Sequence, residues 1–407
     1  MDKPEKFLKG YRRSGLSVTE AGTVTGRSPR QIRRYLKGET PPSEEIVAEV
    51  ARIADARTTK ADIRAPFRFI DLFAGIGGLR LGFDAIGGKC VFTSEWDRWS
   101  NETYRKNFAD GPDHMMVGDI LPYGANPSLI PAHDLLLAGF PCQPFSLAGV
   151  SKKNSLGRAH GFDDAHQGNL FFEIESIIRH HRPAAFLLEN VKHLQRHDGG
   201  RTFEVIRHTL EKKLGYHISV RVISSEPWVP QKRERIFIVG FREDQGFSLD
   251  GFDKMIPPAA EWPKLGSILQ SHNEVGAKYT LTPKLWEYLQ AYRAKHEQAG
   301  NGFGFSLFGK DGVTRTLSAR YHKDGSEILI AQDGTRPRRL TPRECARLMG
   351  FEHGKREWHI PVSDTQGYRQ FGNAVVVPVI EALARYMEEP ILRAVEADRM
   401  LGQRAVA

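Results

Sequence analysis

The residue with the clearest chemical potential in this sequence is a cysteine held between two prolines. Cys142 lies in the string GFPCQPFS (residues 139–146), directly after an apolar run. Proline fixes the backbone angle φ, so Pro141 and Pro144 hold the direction of the thiol. Open α/β sheets bind ligands at the ends of their parallel strands, which is where this loop is predicted. The pattern favours a nucleophilic thiolate at Cys142.

The remaining cysteines favour a different interpretation. A lone cysteine is usually a small buried apolar side chain, and this suits Cys90 in a predicted strand and Cys345 on a predicted helix. Three widely spaced cysteines argue against a disulfide framework and against a C-x-x-C zinc site. His193 and His197 stand four residues apart beside a single acid, so we predict no metal site.

A glycine-rich turn forms a second candidate site. The string FIDLFAGIGG (residues 69–78) places three glycines after a predicted strand, where glycine lets a ligand approach the main chain. Glu95 lies 20 residues beyond Gly75, a spacing that suits a carboxylate on ribose hydroxyls. Trp96 is placed to stack on a purine, and Asp119 to accept from an adenine amino group.

Alternatives to a cofactor site remain open for this turn. A glycine-rich turn after a strand is often purely structural. A dinucleotide site needs a third glycine where Arg80 stands, and no Gly-Lys-Ser/Thr follows, which excludes a P-loop. A nucleoside cofactor without a pyrophosphate fits better, and S-adenosylmethionine is the cofactor we expect.

Composition limits the class of protein. The 407 residues allow two to four domains, and 40% hydrophobic with 26% charged residues is typical of globular chains. The apolar runs are too short to span a bilayer, and the first residues lack the apolar core of a signal peptide, so we expect a cytoplasmic protein with no membrane partner. The net charge of +9 suits a polyanionic partner such as nucleic acid.

The basic charge is concentrated at the N-terminus. Residues 1–37 hold ten Lys and Arg but three Asp and Glu. Ser17 and Ser28 are predicted helix N-caps, and Gly26 separates two short helices. The pair resembles a phage-repressor helix-turn-helix, with four predicted DNA contacts on its second helix: Arg30, Arg33, Arg34 and Lys37. A solvated basic helical bundle is the alternative.

From Ala65 the pattern alternates between strands and helices, which predicts an α/β fold with a mostly parallel sheet. Predicted strands are Phe67 to Leu72, Lys89 to Ser94, Asp134 to Gly139, Ala184 to Leu188 and Ile236 to Gly240; predicted helices include Asn169 to Arg179 and Thr202 to Leu214. Residues 241–337 are irregular and predict an inserted domain. Thr341 caps a helix, a last strand and helix near Val375 to Met387 rejoin the sheet, and the tail from Asp398 frays.

Five strings resemble the ordered motifs of the DNA (cytosine-5)-methyltransferase family. They are FIDLFAGIGG, GFPCQPFS, LLENV, QKRERIFIVG and RQFGNAVVVPV, and they occur in the family's order between about Pro66 and Met387. The Phe-Pro-Cys-Gln-Pro-Phe-Ser string resembles the DNA enzymes more than the related tRNA methylases. The resemblance implies an S-adenosylmethionine-dependent methyltransferase sheet with an inserted target-recognition domain.

Together these patterns predict five regions. They are a small helical domain (1–60), a catalytic domain (66–240), a target-recognition domain (241–337), a C-terminal return to the catalytic domain (338–390) and a tail (391–407). The recognition region resembles that of the Dcm-like branch, which implies a CC(N)GG-type site on double-stranded DNA.

The resemblance also implies residue roles. Cys142 adds to C6 of a flipped cytosine, Glu189 engages N3 and the exocyclic amine, Arg235 binds O2, and Arg233 braces the active-site loop. Residues 149–168 resemble the family's mobile loop. The expected cofactor residues are Asp71, Phe73, Gly75, Ile76, Gly77, Gly78, Glu95, Trp96, Asp119, Ile120, Pro141, Asn373 and Val375. Ser146 and Arg320 are the expected further DNA contacts.

Two rival functions come from other interpretations. A dinucleotide-dependent oxidoreductase would use the glycine-rich turn, but the missing third glycine and the cysteine loop count against it. A transcription regulator would use the N-terminal helices, and this role is compatible with methylation. The sequence lacks the P-D-x-(D/E)-x-K motif of a restriction endonuclease. Two settings stay open for a methylase: a restriction–modification system with a genetically linked companion endonuclease, or an orphan bacterial methylase. On DNA the enzyme is expected to act as a monomer.

Overall fold

The fold was analysed in a computed structural model, which describes residues 3–14, 18–51, 65–141, 170–300 and 304–404. Four N-terminal helical stretches come first: α1 (Lys3–Ser14), α2 (Val18–Thr25), α3 (Pro29–Leu36) and α4 (44–51). Gly26 ends α2 with φ of 65°, and Ser28 caps α3 by accepting from the Gln31 N–H, as predicted. Ser17 lies outside the described residues.

A small apolar cluster holds these helices together. Its buried members are Phe7, Ala21, Ile32, Tyr35, Ile46 and Val50. Ile32 and Tyr35 occupy one face of α3, and the four basic residues predicted to contact DNA are exposed on the same helix and just after it. The N-terminal helices therefore pack around a core of their own.

The centre of the protein is a seven-stranded sheet. Its strands are β1 (Arg68–Leu72), β2 (Lys89–Ser94), β3 (Met115–Val117), β4 (Leu135–Gly139), β5 (Ala185–Val191), β6 (His217–Ser224) and β7 (Glu234–Phe241). The order across the sheet is β3-β2-β1-β4-β5-β7-β6. All pairs are parallel except those of β7 with β5 and β6. The predicted mostly parallel α/β sheet is confirmed.

Alternating side chains of the central strands bury both faces of the sheet. Phe69 and Leu135 point into one core, and Ile70 and Leu136 point into the other. Helices cover both faces, as expected for parallel strands. In chain order, the described helices after the N-terminal stretches are α5 (Gly78–Asp84), α6 (Arg98–Asn107), α7 (Leu121–Ala125), α8 (Leu170–His181), α9 (Arg201–His208), α10 (Pro283–Gln298), α11 (Pro342–Leu348), α12 (Asp364–Asn373) and α13 (Val377–Arg404).

Residues 241–337, the recognition segment, contain little regular structure. Several short 3₁₀ turns precede α10, and the two-residue strands β8 (Leu307–Phe308) and β9 (Leu329–Ile330) form a small sheet with β10 (Arg338–Arg339), which lies just beyond the segment. After it, Thr341 caps α11 in a capping box with Glu344, as predicted. Glu344 is also bound by Arg338 in a buried bidentate pair at 2.7 and 2.8 Å.

Two sequence predictions at the C-terminus are wrong. The run near Val375 forms no strand, because Pro378 starts a helix and the apolar side chains pack against the sheet from α13 instead. The tail does not fray at Asp398, since α13 continues to Arg404. Arg242 pairs with Asp398, and Arg399 donates to the Pro66 carbonyl at 3.0 Å.

No helix among the described residues has the length and apolar character required to span a membrane.

Candidate active site

The strand order places the candidate site at the carboxyl ends of β1 and β4. The chain runs outward from β1 to β2 and β3, then returns to β4 on the other side of β1. Such a reversal opens a crevice between the two strands, and ligands bind there in open α/β sheets. The glycine-rich turn (residues 73–78) follows β1, and the cysteine loop follows β4.

The three glycines of this turn serve different purposes. Gly75 has φ of 56°, and a Cβ built on it meets nothing within 4 Å, so its main chain borders open space. A Cβ on Gly77 would lie 2.4 Å from the Phe108 ring, and one on Gly78 would lie 2.6 Å from Val375. Gly75 is therefore open to a ligand, whereas the other two are required for close internal packing.

Glu95 ties this turn to the end of β2. Its carboxylate accepts from the Gly75 N–H and from the Asp97 N–H, both at 2.7 Å. Burial raises its pKa, and the two main-chain donors offset part of that shift. A carboxylate offers about four acceptor positions, so capacity remains for hydroxyl donors. The predicted ribose contact is thus joined by a second role, which is to fix the turn.

Asp71 is a buried residue of β1, two positions before the glycine-rich turn. Its residue is fully buried, and neither carboxylate oxygen makes a hydrogen bond of ordinary geometry within the described structure. Burial raises its pKa to about 8, which Arg80 opposes only in part. Asp71 is therefore a buried carboxyl group near the end of β1, and its predicted contact with the cofactor stays a prediction.

The residues predicted to enclose adenine follow β1, β2 and β3, at the same edge of the sheet as the glycine-rich turn. Trp96 is 77% exposed next to Glu95, and Ile120 is buried just before α7. Asp119 is partly buried and accepts from the Leu121 N–H at 2.9 Å. Phe73 adopts a left-handed φ of 56°, which is rare for an aromatic residue and marks a constrained position.

Arg80, where a dinucleotide site would have glycine, anchors the segment that covers the turn. Its guanidinium donates to Tyr104 and Asp110 at 2.8 Å and to Asp84 at 3.0 Å. It also stacks on Phe108, 4.2 Å from the ring centroid. In the sequence, Arg80 was noted only because it stands where a dinucleotide site has its third glycine. Its role in holding the segment beside the turn was not predicted.

The C-terminal chain returns beside the glycine-rich turn. Residues 372–376, the return segment, place Val375 against Gly78, while Asn373 is exposed. The Val377 N–H donates to the Met349 carbonyl at 2.9 Å, which fixes the start of α13. Val375 therefore lies next to the turn after β1, and the predicted contacts of Val375 and Asn373 with the cofactor stay predictions.

The second half of the site lies at the ends of β4, β5 and β7. Sheet register sets Glu189 beside Gly139, and a Cβ on Gly139 would lie 3.4 Å from the Glu189 carboxylate. Arg235 on β7 contacts that carboxylate with Nε 3.0 Å from Oε1. Burial raises the pKa of Glu189, although Arg235 and Arg233 pull it down. The site thus holds a carboxyl group that keeps its proton to a higher pH than a glutamate in water would.

Asn190 holds the main chain at Phe140, just before the cysteine loop. Its side-chain amide donates to the Phe140 carbonyl at 2.8 Å, and its oxygen accepts from the Val191 N–H at 2.8 Å. The buried amide within an apolar strand is a signal that sequence reasoning did not use. Pro141 is exposed at the end of the described segment, while Cys142, Ser146 and residues 149–168 lie outside the described residues.

Arg233 is almost completely buried. Its side chain donates to the carbonyls of Leu317, Gly372 and Ala374 at 2.9, 2.9 and 2.7 Å. Burial lowers its pKa to about 9, and the charge of Arg235 acts in the same direction. Its described partners are thus the recognition segment and the return segment, whereas the loop it was expected to brace lies outside the described residues.

The family model for C-5 cytosine-specific DNA methylases matches residues 67–389, which include both halves of this site. The chain belongs to the C-5 cytosine-specific DNA methylase family. It is a DNA (cytosine-5)-methyltransferase of the kind found in restriction–modification systems. A helix-turn-helix model matches residues 6–62 of the methylase, in agreement with the N-terminal helices described above.

Similar proteins support the assignment. The methylase is 50% identical to the DNA-cytosine methyltransferase of Escherichia coli (strain K12), over 81% of this chain and 79% of that one. It is 45% identical to the type II methyltransferase M1.ScrFI of Lactococcus lactis subsp. cremoris, over 91% of both chains. Among solved structures, the Dnmt2 methyltransferase of S. pombe shares the fold with a TM-score of 0.60 at 17% identity, covering 81% of this chain and 99% of that one.

The residues at the crevice fit the S-adenosylmethionine that this family and its structural neighbours use. An open main chain at Gly75, an exposed indole at Trp96 and a carboxylate at Glu95 suit a ligand with a purine and a ribose. Among the residues that the structure describes, no three His, Cys, Asp or Glu side chains are grouped as metal ligands.

Replacing Glu95 with alanine is expected to weaken cofactor binding far more than DNA binding. The change removes a charged acceptor for ribose and also frees the Gly75 N–H, with an expected loss of about 1.5–3 kcal/mol. Calorimetry with S-adenosylhomocysteine measures it, with Glu102→Ala on the exposed side of α6 as control. Unchanged cofactor affinity in Glu95→Ala would contradict the assignment.

Proposed function

We propose that this methylase transfers a methyl group from S-adenosylmethionine to C5 of a cytosine flipped out of a short CC(N)GG-type duplex site. The observation that carries the chemistry is the Glu189–Arg235 pair beside Gly139, three residues before Cys142. The C5 atom of the target cytosine is enclosed in the base stack of the duplex, so an enzyme that acts on it must extrude the base. The DNA substrate also leads us to propose the bacterial cytoplasm as its location.

The proposed reaction begins with the thiolate of Cys142. The thiolate bonds to C6, which makes C5 nucleophilic. The bound cofactor supplies an electrophilic methyl sulfonium, and the C5–methyl bond forms as the methyl–sulfur bond breaks, leaving the electron pair on that sulfur. Loss of the C5 proton to a base then restores the C5–C6 double bond, and the Cys142 sulfur departs with the electrons of its C–S bond.

The neighbouring residues would stabilise charge on the ring. A neutral Glu189 can donate to N3 while its other oxygen accepts from the exocyclic amine. Arg235 remains beside Glu189 with its guanidinium partly exposed, which suits a further contact with the cytosine O2. Asn190 holds the Phe140 carbonyl and so limits where the cysteine loop can start.

Plasmid methylation followed by bisulfite sequencing tests the function and the site together. Purified wild-type protein, unmethylated plasmid and S-adenosylmethionine are expected to give protected cytosines at one short, near-palindromic sequence of CC(N)GG type. Methylation at CpG outside such sites would refute the proposed sequence while leaving the chemistry intact. If bisulfite converts every cytosine, no cytosine was methylated, and the proposed function is refuted.

Arg320 is the residue we propose to read guanine. Its main-chain N–H donates to the Ser318 hydroxyl at 3.1 Å, and Ser318 in turn donates to Glu327 at 2.7 Å. The main chain is thereby held while the side chain is exposed. An arginine in this setting suits a bidentate contact with O6 and N7 of guanine, although a phosphate contact remains the alternative.

Replacing Arg320 with alanine is expected to cost about 1–3 kcal/mol on the cognate site and to relax the choice of one base pair. Binding and methylation are measured on a set of duplexes that differ at single positions. Exposed Lys323→Ala is the matched control, since it removes a nearby positive charge. Uniform weakening on all sequences would assign Arg320 to a phosphate instead.

We further propose that the helix-turn-helix binds a second DNA segment and can regulate transcription, for example at its own promoter. Its exposed basic residues suit phosphate and base-edge contacts by α3. A Cys142→Ala protein that still represses transcription but no longer methylates would separate the two roles.

We also propose that a companion endonuclease is encoded nearby and that one copy of the methylase acts on each site.

Deleting residues 1–60 is expected to leave methylation of short duplexes intact and to reduce the salt dependence of DNA binding. The N-terminal helices have their own apolar cluster, and each phosphate that is no longer neutralised lowers the slope of log K against log salt by about 0.9. Fluorescence anisotropy over a salt series measures the slope. A full-length variant with Arg30, Arg33, Arg34 and Lys37 changed to alanine is expected to match the deletion. A truncated protein that does not fold would show that these helices belong to the catalytic core.

A further inference from the structure

Arg233 joins two parts of the methylase that the proposed function assigns to different ligands. Its guanidinium donates to Leu317 in the recognition segment and to Gly372 and Ala374 in the return segment. It is a fully buried arginine with three main-chain acceptors on two separate segments. Movement of either segment relative to the other would break at least one of these hydrogen bonds.

The recognition segment is fixed to the same turn by further hydrogen bonds. The Lys232 N–H donates to Thr314, and the Thr314 N–H donates to Pro230, both at 2.8 Å. The Leu317 N–H donates to the Gln231 side chain at 2.7 Å, so side chains of residues 231 and 233 bind both main-chain groups of Leu317. Residues 314–317 therefore keep one register against residues 230–233.

Packing continues from this point to the cofactor turn. A Cβ on Gly372 would lie 2.4 Å from main-chain atoms of Ser318 and Ala319, directly before Arg320. Three residues further along, Val375 contacts Gly78 of the glycine-rich turn. A series of close contacts, main chain to main chain at Gly372 and side chain to main chain at Val375, thus leads from the residue proposed to read guanine to the turn proposed to hold the cofactor.

We propose that Arg233 is a positioning residue that couples duplex recognition to cofactor affinity. The inference rests on the proposed function, because it takes the recognition segment as the DNA reader and the return segment as part of the cofactor site. When the duplex fixes residues 317–320, the shared guanidinium fixes residues 372–374 as well, so less ordering remains for cofactor binding to complete. By reciprocity, bound cofactor strengthens binding of the cognate duplex by the same factor.

The test measures the affinity of S-adenosylhomocysteine by calorimetry, without duplex and with saturating duplex carrying the sequenced site. The ratio of the two dissociation constants is the coupling factor. Arg233→Lys is the main variant, because lysine keeps the charge but lacks the planar fork that reaches carbonyls of two segments. Gly372→Ala is the second, because it leaves Arg233 intact and forces Ser318 and Ala319 away from the return segment.

Arg221→Lys is the matched control. Arg221 also donates to main-chain carbonyls of another segment, Leu249 at 2.8 Å and Asp250 at 3.2 Å, but it lies on β6 at the edge of the sheet. We expect a wild-type coupling factor of about fivefold or more, in the range usual for coupled sites. The control should keep it, while Arg233→Lys and Gly372→Ala should both reduce it toward one.

The outcomes separate the inference from its alternatives. A wild-type factor of one, or a wild-type factor retained in Arg233→Lys, overturns the proposal. Equal weakening of cofactor binding with and without duplex would assign Arg233 a purely structural role and also overturns it. If Arg233→Lys fails to fold, Gly372→Ala decides. Failure of the proposed function would instead appear as absent cytosine methylation by the wild-type protein, which the sequencing experiment detects independently.

Discussion

Replacing Cys142 with alanine is expected to reduce methyl transfer by several orders of magnitude, because no described side chain at the ends of β4, β5 and β7 is a soft nucleophile that could replace it. Cofactor affinity should change little, since the glycine-rich turn and Glu95 are untouched. The rate is measured under single turnover with radiolabelled methyl donor and the cognate duplex. Methylation at the wild-type rate would refute the assignment of the nucleophile.

A covalent trap identifies the atom that attacks. In duplex containing 5-fluorocytosine, C5 carries fluorine instead of a removable proton, so the sulfur cannot be eliminated after methyl transfer. The wild type should form a protein–DNA adduct stable to denaturant, and Cys142→Ala should form none. Cys90→Ala is the control, because burial raises the pKa of Cys90 to about 12 and keeps it unreactive, so this variant should still be trapped.

The second large effect concerns Glu189. Replacing it with glutamine is expected to lower the rate of methyl transfer by about a hundredfold or more, because the amide cannot deliver a proton to N3. The reactive form of Glu189 is neutral, and burial raises its pKa, so the wild-type rate should fall as pH rises through that raised value. Glu189→Gln should have a lower rate with no such fall.

Thermal stability supplies a check on this interpretation of Glu189. A carboxyl whose pKa is raised by folding makes the folded protein less stable as pH increases from the unfolded pKa toward the folded one. Glutamine does not titrate, so the variant should resist heat at least as well as the wild type at alkaline pH. Neighbouring Glu234→Gln, which removes only a salt bridge with Lys192, is the control and should keep the wild-type pH profile. If the thermal stability of Glu189→Gln still falls at alkaline pH as in the wild type, a group other than Glu189 must cause that fall.

Sequence patterns predict the central strands well, because the relevant signals are local. Apolar runs such as Leu135–Gly139 are bounded by turn residues, and both sheet faces are covered, so their identity as buried parallel strands is clear. The sequence analysis did not predict β6, although Ile218, Val220 and Val222 alternate with polar residues. Val375 to Val379 is rich in β-branched residues, which favour strands, while Pro378 and the packing of α13 decide for a helix.

Contacts between distant segments could not be predicted in this way. The role of Glu95 in holding the Gly75 N–H is suggested by spacing, since the two residues follow adjacent strands. The partners of Arg233 are 84, 139 and 141 residues away along the chain, and nothing local in Gln-Lys-Arg-Glu-Arg indicates them. Arg80 likewise depends on Asp110, whose position is set by the end of α6.

The hydrogen bond between Arg399 and the Pro66 carbonyl has a consequence for the architecture of longer chains. It brings the last turns of α13 to the residue just before β1, so the two ends of the methylase domain meet at one place on its surface. Neighbouring ends are what circular permutation requires. A short linker from the end of α13 to Pro66, with new termini opened at the exposed Gly111–Pro112 turn, would preserve every strand pairing of the central sheet. An accessory domain fused to the N-terminal end of the methylase domain would start from the same surface region as one fused to its C-terminal end. Its position relative to the methylase domain therefore need not depend on which end carries it.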